Sequence, residues 1–176
     1  MSKALKKWNN LIDSRDGLIK DIKELEKKLK LPTKSLETII RMESKFNENA
    51  INSGAPIHSY GIGQLTLATA KTCGLDINTI LDYKKNLECS AKILKQKLDR
   101  YKNDLYKAVV AYNEGTPCIC DGEKYIRDLG RTKKICSFKS NDDSGKVIFK
   151  PMKCDLKEKL LETKYLLTFK KSYNSL

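Results

Sequence analysis

In "ETIIRMESKF", residues 37–46, two adjacent isoleucines and a phenylalanine recur at helical spacing and mark one apolar face. Glu43 follows Ile39 and Ile40 by four and three residues, which places its carboxylate on or beside that face. A carboxylate in such a place is partly desolvated, and that costs free energy unless the group is paired or used. Its charged form is disfavoured, so its pKa is expected to rise toward the range of a general acid. Periodicity alone also allows an ordinary solvent-facing glutamate at a helix end.

The flanking segments are mostly helical in pattern. Trp8, Leu11, Ile12, Ile19, Ile22, Leu25 and Leu29 predict a charged amphipathic helix with a break at Gly17. Thr33 is a candidate N-cap for the helix running to about Phe46. A polar loop, "NENAINSGAPIHSY", leads to "GIGQL" and then "TLATAKTCG", with Thr66 as N-cap and Gly74 as stop. Leu87, Ala91, Leu94, Leu98 and Tyr101 line one face of the next helix. Another runs from Asp104 to about Gly115. "KYIRDLG" is expected as a last short helix of the main body. "KKICSF" and "KVIF" flank a polar turn and predict a β-hairpin. A final helix over about Asp155–Lys171 is expected to present Leu156, Leu160, Leu161 and Leu167 to a core. The expected fold class is therefore mainly α (α+β).

The chain has 176 residues, suited to one core with a small appendage, and 40% of them are hydrophobic. No apolar run approaches membrane-spanning length, and "MSKALKKWNN" is not followed by the apolar stretch of a secretory signal. The net charge of +13 predicts an anionic partner. The lysines are spread along the whole chain, and no zinc-finger, helix-turn-helix or RNA-binding signature accompanies them, so nucleic acid is not expected. The six cysteines, at 73, 89, 118, 120, 136 and 154, lack the paired C-x-x-C units of a zinc ribbon, and no metal or cofactor is expected. Without an export signal, reduced thiols are the default, with Cys73 and Cys89 as small core residues.

"ESKFNENA", "GIGQLTLATAKTCG" and "AYNEG" occur in the order and spacing of the soluble and goose-lysozyme-like lytic transglycosylases, and over about residues 32–126 the chain resembles that family. The resemblance implies a lysozyme-like helical domain at 32–130, while the flanking patterns read as an N-terminal helical extension at 1–31 and a Cys-containing hairpin and helix at 131–176. It also implies cleavage of the β-1,4 bond between N-acetylmuramic acid and N-acetylglucosamine, with Glu43 as acid and then base. The muramyl C6 hydroxyl would close a 1,6-anhydro ring, so no second carboxylate is needed. Carried over with Glu43 are Ser44, Gly61, Gly63 and Gln64, together with Tyr112, Asn113 and Tyr125, as substrate-contacting residues. The family more often has Leu-Met where this chain has Ile62-Gly63, and loss of the methionine is expected to widen the adjacent subsite.

A hydrolytic muramidase of the same fold, drawing a second carboxylate from Glu48, Asp76 or Glu114, is the enzymatic alternative. A wall-binding or assembly protein without activity is the other. Expected partners are peptidoglycan strands and anionic wall polymers. A leaderless protein acting at the wall also suggests virion or secretion-system proteins as partners.

Overall fold

The computed structural model describes residues 3–54, 57–121, 124–129, 132–154, 160–161 and 163–176, with their side chains from residue 15 onward except those of Asp128 and Phe138. Helix α1 (Lys3–Lys28) is continuous through Gly17, where a break was expected. Leu18 and Ile22 on its second half are buried in the main core with Leu36, Ile39 and Ile40 of α2 (Ser35–Ser44). Leu87, Ala91, Leu94 and Leu98 of α4 (Tyr83–Arg100) and Ala108 and Val109 of α5 (Leu105–Glu114) complete that core with Phe169. The expected boundary at 31/32 is therefore crossed by apolar packing. Trp8, Leu11 and Ile12 lie outside the described side chains.

The start of α2 is held from α1 rather than by Thr33. Lys34 takes the N-cap position in the left-handed conformation with no side-chain cap. The buried carboxylate of Glu26 instead accepts the backbone N–H groups of Lys34, Leu36 and Glu37 at 2.9, 2.8 and 3.2 Å. An anion there satisfies donors that a helix start leaves unpaired and complements the positive end of its dipole. α2 ends at Ser44, so Phe46 lies beyond the helix with φ 66°, between Arg15 and Arg41.

Three two-residue strands, β1 (Ile51–Asn52), β2 (Ser59–Tyr60) and β3 (Leu65–Thr66), form an antiparallel sheet in the order β1-β2-β3. The short α3 (Leu67–Lys71) follows, with the Thr66 hydroxyl accepting from Thr69 N at 3.2 Å as its cap. Cys73 beyond α3 is joined to Cys89 of α4 by a disulfide, so these two are not free core thiols.

After α5 the chain leaves the helical body as β-structure. The segment expected as a last short helix is a strand, β5 (Lys124–Asp128), between β4 (Ile119–Asp121) and β6 (Lys133–Ile135). The alternation in "KYIRD" buries Tyr125 against Cys118 and Cys136, which a helix would not achieve. β7 (Ser137–Asn141) and β8 (Val147–Pro151) form the hairpin, closed by a turn in which the Asp142 carboxylate accepts from Ser144 N and Lys146 N. Disulfides Cys118–Cys136 and Cys120–Cys154 staple this module. Reduced thiols were the expectation. The pairing follows from strand geometry, which brings residues far apart in sequence to bonding distance. The boundary expected at 130/131 falls inside the β4-β5-β6 sheet.

The chain then returns to the helical body as α6 (Lys164–Ser175), capped by Thr163, whose hydroxyl accepts from Leu166 N at 3.2 Å. The helix begins later than expected and buries Leu166 and Phe169, with Phe169 in the main core and Tyr165 and Tyr173 packed against that core. Leu167 is exposed, Leu160 bridges to Ile119, and Leu161 packs on the β-module, while Leu156 lies outside the described residues.

Candidate active site

α2, β3, α3, α4, α5 and α6 surround a cleft of about 910 Å³. Glu43, Gln64, Tyr112 and Asn113 line it, together with Tyr165, which was not singled out from the sequence. The helix spacing that buries Ile39 and Ile40 leaves Glu43 half-buried at the cleft. Its Oε1 accepts a hydrogen bond from the Tyr165 hydroxyl at 2.7 Å, and the Asn113 side chain also bonds to it. Burial raises the Glu43 pKa above the usual carboxylate value, and the bonds from Tyr165 and Asn113 oppose part of that rise. Desolvation prevails, so the neutral form is more favoured here than in a solvated glutamate, in a group that still faces the cleft.

Tyr112 anchors α5 to the "GIGQL" turn, donating to the Gly63 carbonyl at 3.0 Å. Burial pushes its hydroxyl pKa far up, so it remains a neutral donor. Tyr165 is shifted the same way, by burial and then by the charge of Glu43. Neither tyrosine is thereby suited to give up its proton as a base.

The turn residues serve chiefly to hold the cleft wall. Gln64, at φ 50°, donates to the carbonyls of Ala50 and Gly61 at 3.1 and 2.9 Å and accepts from the Ser59 hydroxyl at 2.8 Å. Gly61 and Gly63 face α4 instead of opening toward a sugar. A Cβ on Gly61 would stand 2.4 Å from Asn86 Nδ2, and one on Gly63 would stand 1.8 Å from Ser90 Oγ. The space beside Gly63 is thus filled from α4. Asn86 is the hub of this junction, accepting from Gly63 N at 2.9 Å and donating to the carbonyls of Tyr60 and Ile80. Asn86 and Ser90 were missed, though two small polar residues four apart beside Leu87, Ala91 and Leu94 were a visible signal.

Like Gly61 and Gly63, two further expected contacts fall outside the cleft. Ser44 is buried and donates back to the Ile40 carbonyl at 3.3 Å. Tyr125 is in the core of the β-module, and the tyrosine beside Glu43 comes from α6 instead. The sequence Tyr165, Leu166, Phe169 and Tyr173 carried the helical signal for this role, but attention to the leucines set the face wrongly. None of the alternative carboxylates lines the cleft. Glu114 pairs with Arg127 at 3.4 Å, and Asp76 closes its own turn with Thr79 and Asn78. Glu43 is the one carboxylate among the described residues of the cleft wall.

The transglycosylase SLT domain family matches residues 20–135, well over half of the chain. The chain belongs to the SLT domain family. Its match includes Glu43, the "GIGQL" turn and the Tyr112-Asn113 pair, and starts within α1, as the packing of Ile22 does. Among solved structures, this SLT domain is similar to an inactive glutamate-to-glutamine mutant of the lytic transglycosylase Slt from Pseudomonas aeruginosa. That similarity has a TM-score of 0.48 and 23% identity over 53% of this chain and 16% of the other. It is also similar to the 70 kDa soluble lytic transglycosylase of Escherichia coli, with a TM-score of 0.49 and 20% identity over 55% of this chain and 16% of that one. The SLT domain thus spans about a sixth of the length of those chains.

Tyr165 bonds to Glu43 and holds its carboxyl at the cleft wall. Tyr165→Phe removes a hydrogen bond that favours the carboxylate, so the Glu43 pKa is expected to rise further. The alkaline limb of the pH–rate profile should move to higher pH, while the maximal rate falls several-fold from loss of positioning. A tyrosine that only filled space would leave that limb unmoved.

Proposed function

We propose that this SLT domain is a peptidoglycan lytic transglycosylase with Glu43 as its general acid and base. The observation that carries the proposal is the half-buried Glu43 carboxyl, raised in pKa by burial and bonded by Tyr165 at the cleft wall. In the first step Glu43 gives its proton to the bridging oxygen as the muramyl C1–O bond breaks, releasing the 4-hydroxyl of N-acetylglucosamine. The muramyl C6 hydroxyl then forms a bond to C1 and passes its proton to the Glu43 carboxylate. The glutamate is regenerated, no water is consumed, and the strand ends in 1,6-anhydro-N-acetylmuramic acid. The nucleophile is built into the substrate and has a high effective concentration, which suits a cleft with one carboxylate among its described residues.

Asn113 shares Glu43 with Tyr165 and faces the cleft, and we assign it to holding the acid and the sugar beside it. Gln64 and Tyr112 keep the wall in shape through their backbone bonds. Ser44, Gly61 and Gly63 support the site from behind. Site and partner fit together electrostatically, since the +13 charge would concentrate the protein on anionic wall polymers. Three disulfides among the described residues favour work outside a reducing cytosol. No helix among the described residues is long and apolar enough to cross a membrane.

Mass spectrometry of the products from purified peptidoglycan tests the proposal. Anhydro-ended muropeptides support it. Reducing ends that take up oxygen from labelled water would replace it with a hydrolytic muramidase. Absence of any cleavage on several wall types would point to a binding or assembly role.

A further inference from the structure

Apart from Glu43, the cleft wall carries one further charged side chain among the described residues, Lys97 of α4. It lies beside Gln96 on the same wall, seven residues along α4 from Ser90, which touches the Gly63 turn. Seven residues of helix correspond to about 10 Å, so Lys97 stands two turns away from that turn in the same groove. Its Nζ approaches the Gly115 carbonyl at 3.4 Å, at the carboxyl end of α5, and no carboxylate of the described residues pairs with it. Lys92 and Lys95 of α4 and Lys107 of α5, by contrast, each pair with a carboxylate. Lys97 is half-buried, and burial followed by repulsion from Arg100 lowers its pKa. A solvated surface lysine has neither cost. An ammonium kept in a cleft at such a cost is poised for an anion supplied from outside.

We infer that Lys97, with Gln96, forms a carboxylate-binding subsite that takes an acidic group borne by the muramyl residues of the glycan strand. The inference rests on the transglycosylase reading for the identity of the strand. Two sources of that carboxylate share the same chemistry. One is the lactyl group of muramic acid where the stem peptide has been removed, and the other is the acidic groups of the stem peptide where it remains. In either case the ammonium donates to the carboxylate oxygen while retaining or exchanging its contact with Gly115. The consequence is selectivity: strands bearing such carboxylates bind better than a neutral strand of the same sugars.

Binding is measured on Glu43→Gln, which does not consume the strand, and on Glu43→Gln with Lys97→Gln or Lys97→Arg. The probes are soluble glycan strands with stem peptides, the same strands stripped by an amidase, and both preparations with carboxylates capped as methylamides. Lys97→Gln is expected to weaken binding of an uncapped preparation about tenfold, the scale of one charge-assisted hydrogen bond, and to leave capped strands unaffected. Lys97→Arg should stay within a few-fold of the parent. The uncapped preparation that shows the loss identifies the source. Equal loss on capped and uncapped strands would overturn the subsite and leave Lys97 as a support for the end of α5. Unchanged binding, or no binding of any strand, would overturn it too. Wild-type turnover is followed alongside, because the two readings fail separately. Lys97-dependent binding without cleavage sinks the transglycosylase reading alone. Cleavage without Lys97-dependent binding sinks the subsite alone.

Discussion

Glu43→Gln is expected to lower turnover of peptidoglycan by about 10²–10⁴, the usual worth of a general acid, with strand binding preserved. Glutamine keeps the shape and can still accept from Tyr165, but it has no proton to give. The stability effect has the opposite sign. Burial raises the folded-state pKa of Glu43 above its unfolded value, so the folded protein binds this proton more tightly. The associated stability is fully present below the unfolded pKa and is lost as pH rises through the folded one. At neutral pH the buried charge is therefore a cost, and the neutral glutamine removes it. Thermal melts should show Glu43→Gln more stable than wild type at pH 7, with the difference disappearing in acid. A variant that is inactive and also less stable at pH 7 would mean that Glu43 is an ordinary paired carboxylate. Full activity in the variant would sink the assignment outright.

Gly63→Ala is expected to have the largest effect on stability. The added Cβ would lie 1.8 Å from Ser90 Oγ, 2.9 Å from Ser90 Cβ and 3.0 Å from the Tyr112 hydroxyl. The hydroxyl of Ser90 is itself committed to the Asn86 carbonyl at 2.8 Å, and Gly63 N is bonded to Asn86. Either α4 or the turn must move, and overpacking of this kind costs about 1–3 kcal/mol, or a fall of roughly 2–12 °C in Tm for a chain of this size. Activity should fall as well, because the carbonyl that holds Tyr112 belongs to the displaced residue. Ser90→Gly in the same chain removes the clashing atoms and should restore much of the melting temperature. If the double variant melts no higher than Gly63→Ala, the clash is not the reason for the glycine.

Most of the helices, the cap at Thr66 and the β7–β8 hairpin were legible from local pattern, because periodicity and capping act within a few residues. The same locality explains the errors. "KYIRD" is short enough for either a helix or a strand, and its pairing with β4 and β6 decided the matter. Six cysteines in a chain do not reveal their pairings, which depend on strands folding back over 18 and 34 residues. Tyr165 shows the point most clearly, since it reaches Glu43 across a sequence separation of 122 residues after the chain has passed through the whole β-module.

By itself, the sequence determined that a glutamate would stand on or beside the apolar face of a helix, ahead of two further motifs, because side-chain spacing on a helix is fixed by its 3.6-residue turn. Only the tertiary structure decided what meets that glutamate, which tyrosine bonds to it, and that Asn86 and Ser90 demand the two glycines of the turn. Those contacts join segments that no local rule relates, and they form because burying the apolar faces of α2, α4, α5 and α6 in one core leaves their polar groups a single set of partners.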